Sequence, residues 1–120
     1  MRTIRVCDTD PRYHGMVMDL LGPSLNDMRN SMGGTFSSQT ATLVMCQLVH
    51  ILNYVHDRGL IYRDVKPENF LLGQPNTDKW ATVHLIDLGL CKCYRDEVNG
   101  HIPYVESGTT AAAFLLKRML

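Results

Sequence analysis

Asp64, Lys66, Asn69 and Asp87 are the residues of this chain whose types and spacing can do chemistry together. They lie in two words, Ile61-Tyr62-Arg63-Asp64-Val65-Lys66-Pro67-Glu68-Asn69-Phe70 and, seventeen residues further on, Asp87-Leu88-Gly89. Moving a phosphoryl group onto a hydroxyl needs a carboxylate to take the hydroxyl proton, a cation beside the anionic group, and oxygen ligands for Mg²⁺. The two words together hold a residue for each of those needs. Their order and separation carry more information than either word alone.

Such residues work only if the surrounding elements bring them to one place. The clearest element is a helix over Ser38 to Asp57, where Ala41, Met45, Leu48, Leu52 and Val55 recur at three- and four-residue spacing, flanked by Val44 and Ile51. Ser37 or Ser38 can cap its start, and Gly59 fits just past its end. His50 and His56 near this stripe read as packed or surface histidines rather than ligands. Phe70 to Leu72 and Val83 to Ile86 suggest small strands flanking the polar linker Gly73 to Lys79, with Trp80 a partly exposed packing residue beside it. A loop between helix and strand then holds Asp64 and Asn69 at the lip of a cleft, and a tight hairpin brings Asp87 beside them. Upstream, Thr3 to Cys7 and Gly15 to Leu20 read as strands around a turn at Asp8-Thr9-Asp10-Pro11. Gly22-Pro23 breaks the second strand. Ser24 can cap a short helix over Leu25 to Asn30, with Asp27 near its positive end.

Composition sets wide bounds. The chain has 120 residues, 45% hydrophobic and 20% charged, which suits one soluble globular domain at most. Its 12 basic and 12 acidic residues leave a formal net charge of zero, so nothing electrostatic points to nucleic acid. The four cysteines, Cys7, Cys46, Cys91 and Cys93, lack zinc-ligand spacing and read as reduced cytoplasmic thiols. No run is long and apolar enough to span a bilayer, and no apolar stretch follows Met1.

The words around the polar set resemble the casein kinase I family of serine/threonine protein kinases, from about Ile4 to about Thr109. Met18-Asp19-Leu20-Leu21-Gly22-Pro23-Ser24-Leu25 resembles that family's hinge. Asn69-Phe70-Leu71-Leu72-Gly73 resembles its catalytic loop, and His101-Ile102-Pro103-Tyr104 a segment of its activation loop. Tyr62 in place of the usual His, with Val65 and Glu68, is similar to the gamma branch. The resemblance implies an α+β, mainly α, partial kinase fold: the end of the upper lobe and the hinge over 1–22, lower lobe over 23–110, and a divergent tail over 111–120. It implies that Asp64 is the catalytic base and that Lys66 neutralises the transferring group. It also implies that Asn69 and Asp87 hold Mg²⁺, and that backbone groups at Met18, Asp19 and Leu21 bind the adenine of ATP. The acceptor is a Ser or Thr of a protein substrate. Leu88 stands where the family has Phe and is expected to keep an apolar plug. Val105 stands where it has a basic residue.

No G-x-G-x-x-G loop, phosphate-clamping strand lysine or partner helix glutamate is present in the sequence. Without them the isolated chain is expected to be inactive or weak. Exposed apolar faces are expected to leave it marginally stable. Ala111 to Leu120, with Phe114, Leu115, Leu116, Met119 and Leu120, is expected to form an amphipathic helix over part of that surface. The alternative to an enzyme is a non-catalytic remnant that acts as a decoy or binds a protein partner on its exposed apolar face.

Overall fold

The computed structural model of the chain describes residues 5–10, 13–96 and 100–101. Strands β1 (Arg5–Asp10) and β2 (Tyr13–Val17) pair antiparallel, Arg5 opposite Val17 and Asp10 opposite Tyr13. The register shifts between Cys7 and Asp10. That irregularity lets the strand run on through Asp8-Thr9-Asp10, where sequence reasoning places a turn. Helix α1 (Leu25–Ser31) follows, with α2 (Ser38–Asp57) after it. Then come β3 (Leu60–Ile61), a 3₁₀ turn at Pro67–Asn69, β4 (Phe70–Leu72) and β5 (Val83–Leu85). The short strands β6 (Lys92–Cys93), β7 (Arg95–Asp96) and β8 (Gly100–His101) complete the described elements. Strand pairs β3–β6, β4–β5 and β7–β8 are all antiparallel, so helices and small antiparallel sheets are mixed, in keeping with an α+β class.

Both helices start where side chains satisfy their free N–H groups. Ser24 and Asp27 form a reciprocal capping box on α1: Asp27 N–H donates to Ser24 Oγ (3.1 Å), while Ser24 N–H donates to Asp27 Oδ2 (3.0 Å). Ser24 Oγ also donates to Asp27 Oδ2 (2.6 Å), and this bond first, with the Ser24 N–H second, holds the Asp27 carboxyl below its ordinary value. On α2, Thr40 N–H donates to Ser37 Oγ at 3.2 Å. At the far end Gly59 takes φ +74° and donates its N–H to the His56 carbonyl at 2.8 Å, a left-handed exit that glycine adopts without strain.

The core lies where α2 meets the β4–β5 hairpin. Leu25, Val44, Leu48, Phe70 and Val83 are buried, with Met45, Ile51, Leu52 and Leu85 packed around them. The stripe read from the sequence is therefore the face that packs. Gln47, on the same helix, fastens it to the hairpin by both ends of its amide. Nε2 donates to Ala81 O (3.1 Å), and Val83 N–H donates to Oε1 (2.9 Å). The segment before α1 lies along the other edge of β4, where Gly22 N–H bonds Leu72 O and Leu72 N–H bonds Pro23 O, each at 2.9 Å. A Cβ on Gly22 would collide with the carbonyl of Gly73, so that close approach requires glycine. Leu43, Val49 and Tyr54 on the other faces of α2 stand exposed. The segments Ala111 to Leu120 and Ile102-Pro103-Tyr104, and the fate of Val105, lie outside the described residues.

Leu48 is fully buried while Leu43, five residues earlier, is 69% exposed. Leu48→Ala is therefore expected to lower unfolding free energy by about 2–5 kcal/mol. Leu43→Ala is expected to change it by less than about 0.5 kcal/mol. Urea unfolding followed by circular dichroism measures both.

Candidate active site

The loop from Tyr62 to Asn69 leaves β3 with an unusual backbone. Arg63 takes φ +67°, a conformation that costs a non-glycine residue and persists only where neighbours fix it. Its guanidinium supplies one such restraint, Nε donating to Leu90 O at 2.6 Å. Pro67 then starts the 3₁₀ turn in a position where its missing N–H is no loss, and Asn69 N–H closes the turn on Lys66 O at 3.0 Å.

Three of the four chemistry-bearing residues meet directly. Asn69 is 94% buried in the complementary sense of its 6% exposure, and its Nδ2 donates to both Asp64 O (3.0 Å) and Asp64 Oδ2 (2.7 Å). Lys66 Nζ donates to the same Oδ2 at 2.7 Å. The Lys66 bond first, and the Asn69 bond second, hold the Asp64 carboxyl below its ordinary value. The reciprocal bond to Asp64 raises Lys66. Asp64 is thus an ionised carboxylate at neutral pH beside a protonated lysine. The Asn69 side-chain nitrogen is thus turned to Asp64.

Asp87 is brought in through the backbone. Ile86 N–H donates to Asn69 O at 3.0 Å, so the residue before Asp87 hangs from the residue that braces Asp64. Tyr62, only 1% exposed, donates its hydroxyl to Ile86 O at 2.7 Å. Burial pushes the Tyr62 phenol up to about 12; the Asn69 side chain opposes this, and the charges of Asp64 and Asp87 add to it. Asp87 itself sits at φ +57°, and its Oδ1 accepts from Gly89 N–H at 3.0 Å. Asp87 also contributes to the rise at Lys66, which places its charge within reach of the same cluster.

Met18, Asp19 and Leu21 lie on the extended stretch between β2 and α1, Met18 and Asp19 exposed and Leu21 half-buried. Their connection to the loop runs through β4. Gly22 N–H bonds Leu72 O, and Phe70 at the head of that strand directly follows Asn69. Leu88 does not act as an apolar plug. It is 56% exposed, because the left-handed backbone at Asp87 and the turn closed by Cys91 N–H on Leu88 O carry it outward. His50 and His56 are exposed surface residues, and Cys46, Cys91 and Cys93 are free thiols. Burial raises Cys91.

Sequence reasoning missed three supports: the Tyr62 hydroxyl on Ile86, the Arg63 guanidinium on Leu90 and the Gln47 amide on β5. Only the first left a signal, since a buried phenol must find an acceptor. Among the described residues no three His, Cys, Asp or Glu side chains gather into a metal cage. Asn69 and Asp87 offer hard oxygen donors alone, one amide and one carboxylate. That donor set fits Mg²⁺, which takes few protein ligands and completes its shell with phosphate oxygens and water.

Residues 1–112 match the protein kinase domain family. Over 92 residues, 76% of the chain, the sequence is 49% identical to the casein kinase I homolog RAG8 of Kluyveromyces lactis. The matched part spans 17% of that relative's length. No described helix is long and apolar enough to cross a membrane.

The contacts at Asp64 have a direct titration readout. Its folded pKa lies below the unfolded one, so the contact stabilises the fold above the unfolded value and is lost as pH falls through the folded value. Lys66→Met removes the leading cause, and the Asp64 midpoint is expected to rise toward 3.8. Carboxyl carbon NMR titration from about pH 2 to about pH 7 measures it. An unmoved midpoint would leave Asn69 as the main cause.

Proposed function

The chain belongs to the casein kinase I family of protein kinases, and we propose that it carries the catalytic and metal-holding loops for transfer of the γ-phosphate of ATP to Ser or Thr hydroxyls of proteins. The observation that supports this most is the Asp64 carboxylate held by both Lys66 and Asn69, while the Asn69 carbonyl holds the residue before Asp87.

Each residue has a role that its surroundings favour. Asp64, kept ionised by its two donors, accepts the proton of the attacking hydroxyl and orients it. Lys66 offsets negative charge on the transferring group from the same side as Asp64. Asn69 Oδ1 and the Asp87 carboxylate hold Mg²⁺, which when bound neutralises charge on the phosphate oxygens. Backbone groups at Met18, Asp19 and Leu21 bind the adenine edge, as an extended hinge beside apolar walls can. In this reading 1–22 closes the upper lobe and forms the hinge, 23–110 belongs to the lower lobe, and 111–120 is a divergent tail. The protein works in the cytoplasm, a reading supported by cysteines that lack zinc-ligand spacing and read as reduced thiols. The intact Asp64–Lys66–Asn69 contacts favour a catalytic descent over a remnant that serves only as a decoy.

Clamping of the α- and β-phosphates falls to groups this sequence does not contain. Mg-ATP titrated calorimetrically into the chain alone is accordingly expected to bind more weakly than about 10 μM. Joined in frame to a glycine-rich lobe that bears the clamping lysine, the chain is expected to transfer labelled γ-phosphate to a Ser/Thr peptide library. Asp64→Asn in that protein is expected to slow transfer by about 10²–10⁴-fold with little change in melting temperature. A rate untouched by Asp64→Asn would overturn the assignment.

A further inference from the structure

We propose that residues 111–120 seat as an amphipathic helix on the exposed stripe of α2 between Ser38 and His50, so that the chain covers part of its own apolar surface. The inference goes beyond the catalytic reading and does not rest on it.

Helix α2 carries two stripes. Val44, Leu48 and Val55 form the buried one. Ala41, Met45, Cys46 and Val49 lie along a second, which runs from Ser38 to His50 and borders an open space of about 520 Å³. That is far larger than a packing void, which seldom exceeds a water molecule. Among the described residues its lining comes from α2 alone and includes no charged side chain. Val49 is 59% exposed, and Cys46 is exposed beside it. An apolar face of this kind gains by leaving water.

The last ten residues of the sequence fit that seat in pattern and length. Ala112, Leu115, Leu116 and Met119 follow at i, i+3, i+4 and i+7, the spacing of one helix face. Lys117 falls on the opposite side of such a helix. Ten helical residues span about 15 Å and the stripe about 18 Å, so Leu115 at the middle of one meets Met45 and Cys46 at the middle of the other, whichever way the segment runs.

The tether suits it as well. Tyr94 N–H donates to Gly59 O at 3.0 Å and the Tyr94 hydroxyl to His56 O at 2.9 Å, which ties the chain to the C-terminal end of α2. Strand β8 then brings His101 opposite Arg95, the next residue. Residues 102–110 can reach about 30 Å when extended. The far end of the stripe, at Ser38, is about 27 Å along the helix from His56. A spacer this short holds the segment at a local concentration on the order of millimolar, far above that of a second copy in dilute solution.

Cys46 and Cys93, both exposed among the described residues, make the test internal. N-ethylmaleimide labelling of the 120-residue chain, mapped by peptide mass spectrometry, is expected to modify Cys46 about tenfold more slowly than Cys93, at 1 μM and at 50 μM protein alike (about a fiftyfold range). Leu115→Glu is expected to bring the two rates within about twofold, and Lys117→Glu, on the other face, to leave Cys46 slow. Half-buried Cys91 is expected to keep its rate in both variants. Equal rates in the unaltered chain would show the stripe to be open and overturn the proposal. Protection of Cys46 that fades on dilution would assign the seat to a second copy, and protection that survives Leu115→Glu would assign it to another segment; either result overturns the proposal. A rise at Cys91 matching that at Cys46 would make the segment part of the core rather than a cover, and would overturn it too.

Discussion

The link from Asp64 to the residue before Asp87 passes through Asn69. Its side-chain amide donates to the backbone and the carboxylate of Asp64, its own N–H closes the 3₁₀ turn on Lys66, and its carbonyl receives Ile86 N–H. One buried residue thereby fixes the spacing between the proposed base and the proposed metal ligand. A buried amide with unmet hydrogen bonds is costly, so each bond depends on the others being present. Moving Asn69 would shift both Asp64 and Ile86, the residue before Asp87, since each is tied to a different group of the same residue.

That residue is stationary because the next one is anchored. Phe70 is fully buried against Leu48 and Val83, and its strand is gripped on both edges, by β5 and by the Gly22–Ser24 segment. The β4–β5 hairpin is in turn fastened to α2 by the Gln47 amide. The apolar contacts supply most of the free energy, and the hydrogen bonds select one register among those that would bury similar area. Polar groups that would reach for substrate can therefore sit on a loop without being loose, because the loop is short and both its ends are held.

What the sequence revealed and what it hid follow from range. The bounds of α2, the cap at Ser24 and the short apolar runs that form β4 and most of β5 depend on patterns within a few residues, and such patterns are visible in a single chain. The order of Asp64, Lys66, Asn69 and Asp87 was legible for the same reason. Contacts across more than twenty residues were not, among them Tyr62 with Ile86, Arg63 with Leu90 and Gln47 with Val83. Polar atoms of ordinary residues carry no mark of which distant carbonyl they will meet. The positive φ values at Arg63 and Asp87 were likewise hidden, since neither residue is a glycine. The reading of Leu88 failed because burial was inferred from its apolar side chain alone, without the turn that directs it outward.

The phenol at position 62 has an electrostatic consequence that a histidine there would not share. The family's more usual imidazole titrates near neutral pH and would gain or lose a positive charge there. The site already holds a lysine next to Asp64, and Asp64 and Asp87 both act on the group at 62. A cation within the field of those carboxylates would compete with a divalent metal for the same negative charge. Tyr62 ionises only near about 12, so it is an uncharged donor at neutral pH. It can then orient the Ile86 carbonyl without altering the charge presented to a metal–phosphate complex. The negative field of Asp64 and Asp87, which makes the phenol harder to ionise, is the same field that would draw the cation in.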